Sequence, residues 1–245
     1  MRLVLDVENT TTKRDDKLHL DPFEPDNYLV QVGYLDADDP EASLTIKTLD
    51  HNESKDDTGF NRLDIQWTLD NTKLLIMHNA QHDLMWLWEC GYRYDGDIYD
   101  TMLGEYILDR GQRRGLSLEA CAERRQLSHK KQDTLKKYFK EGKNTNEIPY
   151  EELCDYLKHD LLTTCELFHA QEKEYSQPDA ASLHTVRRVT FNTCKTLTEI
   201  YMAGFKVDLQ ELERVAKEYE NEKAEIEARL QKKVRELMGD TPINL

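Results

Sequence analysis

The first third of the chain contains short apolar, β-prone runs separated by polar turns. Residues 1–7 (MRLVLDV) predict a buried strand, because Leu3–Leu5 form an uninterrupted apolar run. Residues 28–35 and 43–49 predict two further strands. The turn-prone DADDP between these two strands indicates that they form a hairpin.

The next segment changes from a helical to a strand pattern and back. Residues 59–69 predict a short amphipathic helix, and Leu74–Met77 predict another buried strand. The apolar positions from Asn79 to Cys90 favour a helix with Asp83 in its first turn. Gly91 is expected to end this helix, since glycine readily adopts the left-handed conformation that follows a helix.

Beyond Gly91 the pattern is mostly helical. Ser117 resembles a helix N-cap, and residues 150–170 predict a helix that follows Pro149. Residues 183–203 predict another helix. Early strands, then mixed elements, then helices are typical of an α/β fold with a mixed sheet.

The last predicted helix is long and amphipathic. It covers residues 208–238 and is rich in Glu and Lys. Its apolar positions recur at spacings of three, four or seven residues: Leu212, Val215, Tyr219, Ile226, Leu230, Val234 and Leu237. Such a stripe requires a partner surface.

Composition narrows the class of protein. The 245 residues suffice for one large domain, or for one domain with a helical extension. No apolar run approaches the roughly 18 residues of a membrane span, and the N-terminus does not resemble a signal segment, so we expect a cytoplasmic protein. Five widely spaced cysteines without a C-x-x-C pair predict reduced thiols, buried at Cys121, Cys154 and Cys165, and no zinc site.

The charge is uneven. A net charge of −15 argues against binding DNA by bulk electrostatics. The segment Arg110–Lys143 nevertheless contains 11 Lys and Arg against 4 Asp and Glu, a net charge of +7. It is either a phosphate-contacting surface or a solvated helix–loop segment, and the sequence leaves both interpretations open.

Three separate stretches contain acidic residues in positions suited to chemistry. Asp6 and Glu8 end the first strand, where alternation places both on one face. Alone this pattern is weak, but open α/β sheets place their sites at strand ends. Two carboxylates there can share a divalent cation.

The second stretch joins a strand to a helix. Asp83 follows the strand that ends at Met77, and it could converge with Asp6 and Glu8. The plainer alternative is that Asn79 caps the helix and Asp83 complements its dipole.

The third stretch lies within the helix predicted over residues 150–170. Tyr156 and Asp160 are four residues apart and therefore project from one helix face. A surface ion pair would explain Asp160 by itself, but burial of an inward aspartate requires a cation or hydrogen-bond donors.

Together these stretches resemble the three motifs of the DEDD exonuclease superfamily. Residues 6–8 match Asp-x-Glu, residues 79–83 match Asn-x-x-x-Asp, and residues 156–160 match Tyr-x-x-x-Asp, in the family order. The tyrosine is similar to that of the DEDDy branch. The sister branch has histidine five places before the last aspartate, where this chain has Asp155.

The resemblance extends to family A DNA polymerases. Residues 100–103 and 116–124 resemble helices of their proofreading domain, and residues 205–208 resemble the segment that leads into their thumb. This implies a ribonuclease H-like α/β fold, with a mixed five-stranded sheet flanked by helices and a C-terminal helical extension. The implied domains are an exonuclease over residues 1–178 and the start of a polymerase domain over residues 179–245.

The resemblance also implies a chemistry. Asp6, Glu8, Asp83 and Asp160 would hold two Mg²⁺ or Mn²⁺ ions, and Tyr156 would orient the attacking water. The expected reaction is hydrolysis of DNA from a single-stranded 3′ end to 5′-mononucleotides, in a parent chain with a polymerase domain.

Some residues near the acidic positions are candidates to contact the substrate. Asn9 and Asn79 are candidates to contact the terminal nucleotide, whereas Leu84, Met85 and Trp86 are expected to be core or pocket wall. The sequence leaves two other functions open: an RNase D-like exoribonuclease that uses the same acids, and a non-catalytic docking module.

Overall fold

The computed structural model describes residues 1–14, 17–54, 58–127 and 135–239. The chain divides into two compact units, the first over Met1–Met202 and the second from Ala203 onward. The predicted domain boundary between residues 178 and 179 is a different division, and it stays a prediction.

Seven strands are present in the described residues. They are β1 (Arg2–Asn9), β2 (Thr12–Arg14), β3 (Lys17–His19), β4 (Leu29–Asp36), β5 (Thr45–Thr48), β6 (Leu74–Met77) and β7 (Asp97–Asp100). Five of them form one sheet in the order β5-β4-β1-β6-β7, while β2 and β3 pair separately. β1 pairs antiparallel with β4 and parallel with β6, so the sheet is mixed, as expected.

Nine α-helices are present in the described residues. They are α1 (Pro40–Ser43), α2 (Thr58–Asp70), α3 (Ala80–Glu89), α4 (Thr101–Leu108), α5 (Leu118–Arg125), α6 (Lys136–Lys140), α7 (Tyr150–Tyr175), α8 (Leu183–Ala203) and α9 (Leu209–Met238). Two 3₁₀ turns cover Thr145–Glu147 and Pro178–Ala180. The mixed five-stranded sheet with helices, followed by C-terminal helices, is the α/β architecture that the resemblance implies.

Most predicted elements are confirmed. The four strands predicted from the sequence correspond to β1, β4, β5 and β6. Strands β4 and β5 pair antiparallel, as the predicted hairpin requires. Ser117 caps α5, since its hydroxyl accepts the backbone N–H of Ala120 at 3.3 Å. Gly91 has φ of +90° after the end of α3. The helix predicted to end near residue 170 continues to Tyr175.

The local pattern does not indicate where the fifth strand of the predicted sheet lies. This strand is β7, which runs parallel to β6 at the edge of the sheet, within the part of the chain predicted to be mostly helical. Its sequence DIYD has just two apolar residues, Ile98 and Tyr99, between two aspartates. The local pattern is therefore too short to predict a strand, and pairing with β6 determines the structure.

Helix α7 and helix α2 pack on opposite faces of the sheet. Gly33 of β4 faces α7: a Cβ atom there would lie 2.7 Å from Leu161 and 2.9 Å from Leu157. The neighbouring Tyr34 points the other way, and its hydroxyl donates to Asp64 of α2 at 2.9 Å. Strands covered on both faces read as continuous apolar runs, which explains the sequence of β1.

A buried ionic network joins α4, α5 and α7. The Glu105 carboxylate accepts from Arg124 Nη2 at 2.9 Å, from Arg125 Nε at 2.7 Å and from the Gln171 amide at 2.9 Å. Arg125 also pairs with Glu174 at 2.9 Å. Burial raises the pKa of Glu105, but the hydrogen bonds from Gln171 and the two arginines outweigh it, so that the net direction is downward.

The predicted basic segment Arg110–Lys143 is only partly described, because residues 128–134 lie outside the described ranges. Within it, four arginines pair with acidic neighbours: Arg110, Arg114, Arg124 and Arg125. Both interpretations of the segment remain predictions.

The cysteines are free thiols, in agreement with the absence of a paired motif. Cys121 and Cys165 are buried as predicted, whereas Cys154 is only half-buried. Among the described residues, no helix combines the length and the apolar character that crossing a membrane requires.

The second unit consists mainly of α9. Asp208 caps this helix by accepting the backbone N–H groups of Gln210 and Glu211, both at 3.1 Å. No residue of α9 is buried. Five of the seven residues of its predicted apolar stripe are exposed, and Val215 and Val234 are half-buried.

Candidate active site

Three of the predicted carboxylates meet in space. Asp6 and Glu8 come from β1 and Asp160 from α7, and each offers an oxygen within 4.8 Å of the others. Asp6 and Glu8 are half-buried, and Asp160 is 5% exposed. The interpretation of Asp160 as a surface ion pair therefore does not fit its burial.

The sheet and one glycine bring these residues together. Asp6 lies directly opposite Gly33 in the antiparallel pairing of β1 with β4. Residues directly opposite in such a pair project from the same face, so Asp6 faces α7. Because Gly33 has no side chain, α7 can approach the sheet closely here through Leu157 and Leu161, on either side of Asp160.

Asp83 is the fourth carboxylate. It lies in the first turn of α3 and is 2% exposed, and its Oδ2 atom has no hydrogen-bond partner among the described residues. Burial raises its pKa well above the ordinary value, and the negative charges of Asp6, Asp100 and Glu8 raise it further. The charges of Asp6 and Glu8 therefore act directly on the fourth carboxylate.

These residues fit a divalent cation. A buried carboxylate oxygen without a donor, beside other carboxylates, is costly unless a positive charge compensates it. An all-oxygen donor set favours Mg²⁺ or Mn²⁺ over zinc. Such an ion would compensate the charge of the buried Asp83 carboxylate and give its Oδ2 atom a partner.

Tyr156 lies one helical turn before Asp160 on α7 and is half-buried. It packs at the border of a small apolar cluster that contains Val30, Ile148 and Leu153. The structure therefore places Tyr156 and Asp160 on one stretch of the same helix, as their spacing predicts.

Asn79 connects β6 to α3 in a left-handed conformation, with φ of +70°. It occupies the N-cap position, yet its side chain makes no capping hydrogen bond, so the capping alternative is wrong. Asn79 is exposed and lines a cleft of about 310 Å³ together with Gln81, Met102 and residues of α8. Its role in substrate binding stays a prediction.

Asn9 has structural contacts. Its Nδ2 donates to the carbonyl oxygens of Thr10 at 2.8 Å and Leu20 at 3.4 Å, and its Oδ1 accepts from His82 Nε2 at 3.0 Å. The contact with His82 binds the end of β1 to α3. That Asn9 also contacts substrate stays a prediction.

The apolar residues that follow Asp83 belong to the core, as predicted. Leu84, Met85 and Trp86 are 0%, 7% and 2% exposed. Trp86 Nε1 donates to the Leu20 carbonyl at 3.2 Å. These side chains fix α3 against the sheet.

Two residues next to the site were not singled out from the sequence. Gly33 permits the approach of α7, and no local pattern around it shows which helix crosses the strand. Asp100 accepts backbone N–H groups at the starts of both α3 and α4. An acidic residue directly before an apolar helical run is an N-cap signal, but this signal does not reveal the second helix.

Sequence comparison assigns the class of protein. The profile of the 3′-5′ exonuclease family matches residues 38–176, which is more than half of the chain. The chain therefore belongs to the 3′-5′ exonuclease family. The match includes Asp83, Tyr156 and Asp160 and begins after β1. No curated protein matches the chain.

Solved structures share the fold. A structure described as the apo form of a nuclease has 12% identity and a TM-score of 0.59, with 84% of this chain and 87% of that one covered. Brucella melitensis NrnC with bound Mg²⁺ has 16% identity and a TM-score of 0.55, with 84% and 88% covered. The same protein bound to pGG gives 16% identity, a TM-score of 0.58 and the same coverage.

A polymerase structure is also similar. The POL domain of Pol1 from M. smegmatis, in complex with DNA primer-template and dNTP, has 17% identity and a TM-score of 0.62. The comparison covers 90% of this chain but only 31% of the Pol1 chain. At such identities, these likenesses show the fold alone.

Proposed function

We propose that this chain is a DEDDy 3′-5′ exodeoxyribonuclease that removes 5′-mononucleotides from the 3′ end of DNA as a proofreading activity. The observation that supports this most directly is the meeting of Asp6, Glu8 and Asp160, whose carboxylate oxygens lie within 4.8 Å of one another. Their convergence from a strand and a distant helix gives the oxygen cluster that phosphodiester hydrolysis needs.

The proposed roles follow from this arrangement. Asp6, Glu8, Asp83 and Asp160 would hold two Mg²⁺ or Mn²⁺ ions, which would supply water activation and neutralise charge on the phosphate and the leaving oxygen. Tyr156 orients the attacking water through its hydroxyl. Orientation suits it better than proton abstraction, because an ordinary phenol loses its proton only near pH ~10.

The proposed substrate is a single-stranded DNA 3′ end. A terminal nucleotide must leave its base stack to reach a carboxylate cluster, which favours unpaired ends. The acidic net charge is compatible with this, since metal ions rather than lysines would neutralise the phosphate. Two features support DNA and a polymerase-containing parent chain: the resemblance of residues 100–103 and 205–208 to family A polymerases, and the likeness in fold to Pol1.

An RNase D-like exoribonuclease is the second candidate. It is favoured by the likeness to NrnC, which has been solved with pGG bound. The comparison covers 88% of the NrnC chain, against 31% of the Pol1 chain. A non-catalytic docking module is the third, and the burial of the acidic cluster argues against it.

The test measures mononucleotide release from matched DNA and RNA oligonucleotides that are labelled at either end, with Mg²⁺ or with a chelator. We expect metal-dependent release from the 3′ end of DNA. We expect Asp6→Ala and Asp160→Ala to lower the rate at least about a thousandfold, because each removes metal-holding oxygens. Both variants should stay folded, since fewer carboxylates then repel one another.

Asp155→Ala is the matched control, because Asp155 is an exposed acid on the same helix. It should retain full activity. Equal release by the wild type, Asp6→Ala and Asp160→Ala would contradict the proposed site. Faster turnover of RNA than DNA would favour the exoribonuclease, and calorimetry without metal binding would favour the docking module.

A further inference from the structure

We propose that Asp100 is a positioning residue for Asp83, which it acts on by fixing the start of α3. This inference rests on the proposed function, in which Asp83 holds a metal ion. Asp100 is expected to touch neither the metal nor the substrate, so its contribution is to the geometry of the site.

The Asp100 carboxylate joins two helix starts. Its Oδ1 atom accepts the N–H groups of Met102 at 2.8 Å and Leu103 at 3.1 Å, which caps α4, and that of Asn79 at 3.2 Å. Its Oδ2 atom accepts the N–H of Ala80 at 2.9 Å. The residue is 1% exposed, so these four bonds replace its lost hydration.

The turn that Asp100 holds is one that needs support. Asn79 adopts a left-handed conformation with φ of +70°, which costs free energy for a residue other than glycine. Its own side chain does not cap α3. The adjacent His78 is fixed at both ring nitrogens, by Thr101 Oγ1 at 2.8 Å and by the Leu116 carbonyl at 3.0 Å.

Asp83 depends on this turn because it lies only three residues after Ala80, in the first turn of α3. Within one rigid turn, a shift at Ala80 is transmitted to Asp83. Groups behind metal ligands fix the orientation of those ligands, and their loss typically weakens metal binding ~10- to 100-fold.

The N–H of Ala80 is bound by Oδ2, whereas Oδ1 caps α4 and accepts from Asn79, which makes Asp100→Asn informative. The amide oxygen of asparagine can keep the contacts of Oδ1 and therefore the cap of α4, since Asn and Asp are equally good caps. The amide nitrogen then faces the Ala80 N–H, so that two donors meet. The substitution thus breaks the bond to α3 and spares the cap.

The experiment measures Mn²⁺ binding by electron paramagnetic resonance and calorimetry, independently of nuclease activity. We expect Asp100→Asn to weaken Mn²⁺ binding about 10-fold. Asp208→Asn is the matched control, because Asp208 also caps a helix with two N–H bonds but accepts none from the turn at Asn79. It should bind Mn²⁺ as the wild type does.

Loss of a negative charge could weaken binding without any change of position, and a double-mutant cycle separates the two causes. If Asp100 acts through Asp83, Asp100→Asn should cost nothing further in an Asp83→Asn background. A charge effect on the ion would persist there. An equal loss in both backgrounds would overturn the inference.

Asp100→Ser serves as the second variant if Asp100→Asn does not fold. Its short hydroxyl can cap α4 but cannot also reach Ala80, so it should show the same weakened binding. Wild-type affinity in both variants would overturn the inference and leave the proposed function intact. Failure of the wild type to bind Mn²⁺ would overturn the proposed function itself.

Discussion

The long helices α7 and α9 show how one sequence pattern can have two different surroundings. They contain 26 and 30 residues, and both are amphipathic. Leu157 of α7 is fully buried against the sheet, whereas Ile226 of α9 is 46% exposed. The apolar period therefore predicts a helix and its stripe in both cases, but not the surface that covers the stripe.

The ion pairs differ in the same way. At α7, Gln171 and Glu174 take part in the network around Glu105, whose side chain is 3% exposed. At α9, Arg214 pairs with Glu211 at 2.7 Å, with both side chains more than half exposed. Exposed pairs contribute little because water screens them, while buried pairs are costly to break.

The largest difference between the helices should appear when an apolar side chain is truncated. Leu157→Ala should lower the free energy of unfolding by about 2–5 kcal/mol, because it leaves a cavity in the core. Ile226→Ala should change it by less than about 0.5 kcal/mol. Urea denaturation of both variants measures this, and equal losses would show that α9 is buried in solution.

The buried ion pairs provide the next test. Glu105→Gln should cost about 3 kcal/mol at neutral pH, because two arginines lose their charged partner. The exposed counterpart Glu211→Gln should leave the free energy of unfolding almost unchanged, because water screens its pair with Arg214.

The stability that Glu105→Gln loses should depend on pH, because the pKa of Glu105 is lowered in the folded chain. The pKa of Glu105 lies below its ordinary value of 4.5 in the folded chain, so its stabilisation is present above pH 4.5. It disappears as the pH falls through the folded pKa. Unfolding curves of wild type and Glu105→Gln should therefore converge on acidification, and a gap that does not narrow would contradict the assignment.

The smallest of these effects on stability should come from Gly33→Ala. The new methyl group would push Leu157 and Leu161 away from β4, at a cost of about 2 kcal/mol. Because this displaces α7 opposite Asp6, nuclease activity should fall more than stability alone explains. Gly115→Ala is the control, since its Cβ would meet just one atom, at 3.3 Å. Retained activity in Gly33→Ala would show that α7 tolerates the shift.

These elements also show what the sequence could predict. Strand β1 was predictable from its uninterrupted apolar run, and helix α7 from its long apolar period. The positions of Asp6 and Asp160 follow from these two elements. Strand β7 was not, because its two apolar residues become a strand only by pairing with β6.

The candidate site was predictable to a similar degree. Spacing placed each acid on the correct type of element, and the resemblance to a known family indicated that they meet. It could not indicate Gly33, whose importance depends on a helix more than 120 residues later in the chain. Nor could it indicate the second helix that Asp100 holds, because that helix starts 20 residues earlier in the chain, and a bond over this separation leaves no trace in the residue pattern.

The wide separation in sequence between Asp6 and Asp160 has a consequence for synthesis of the protein. Strand β1 leaves the ribosome before α7, which follows only after the rest of the sheet has been made. Long-range pairings of this kind form late and slowly. A nascent chain therefore has no complete acidic cluster until α7 docks on the finished sheet.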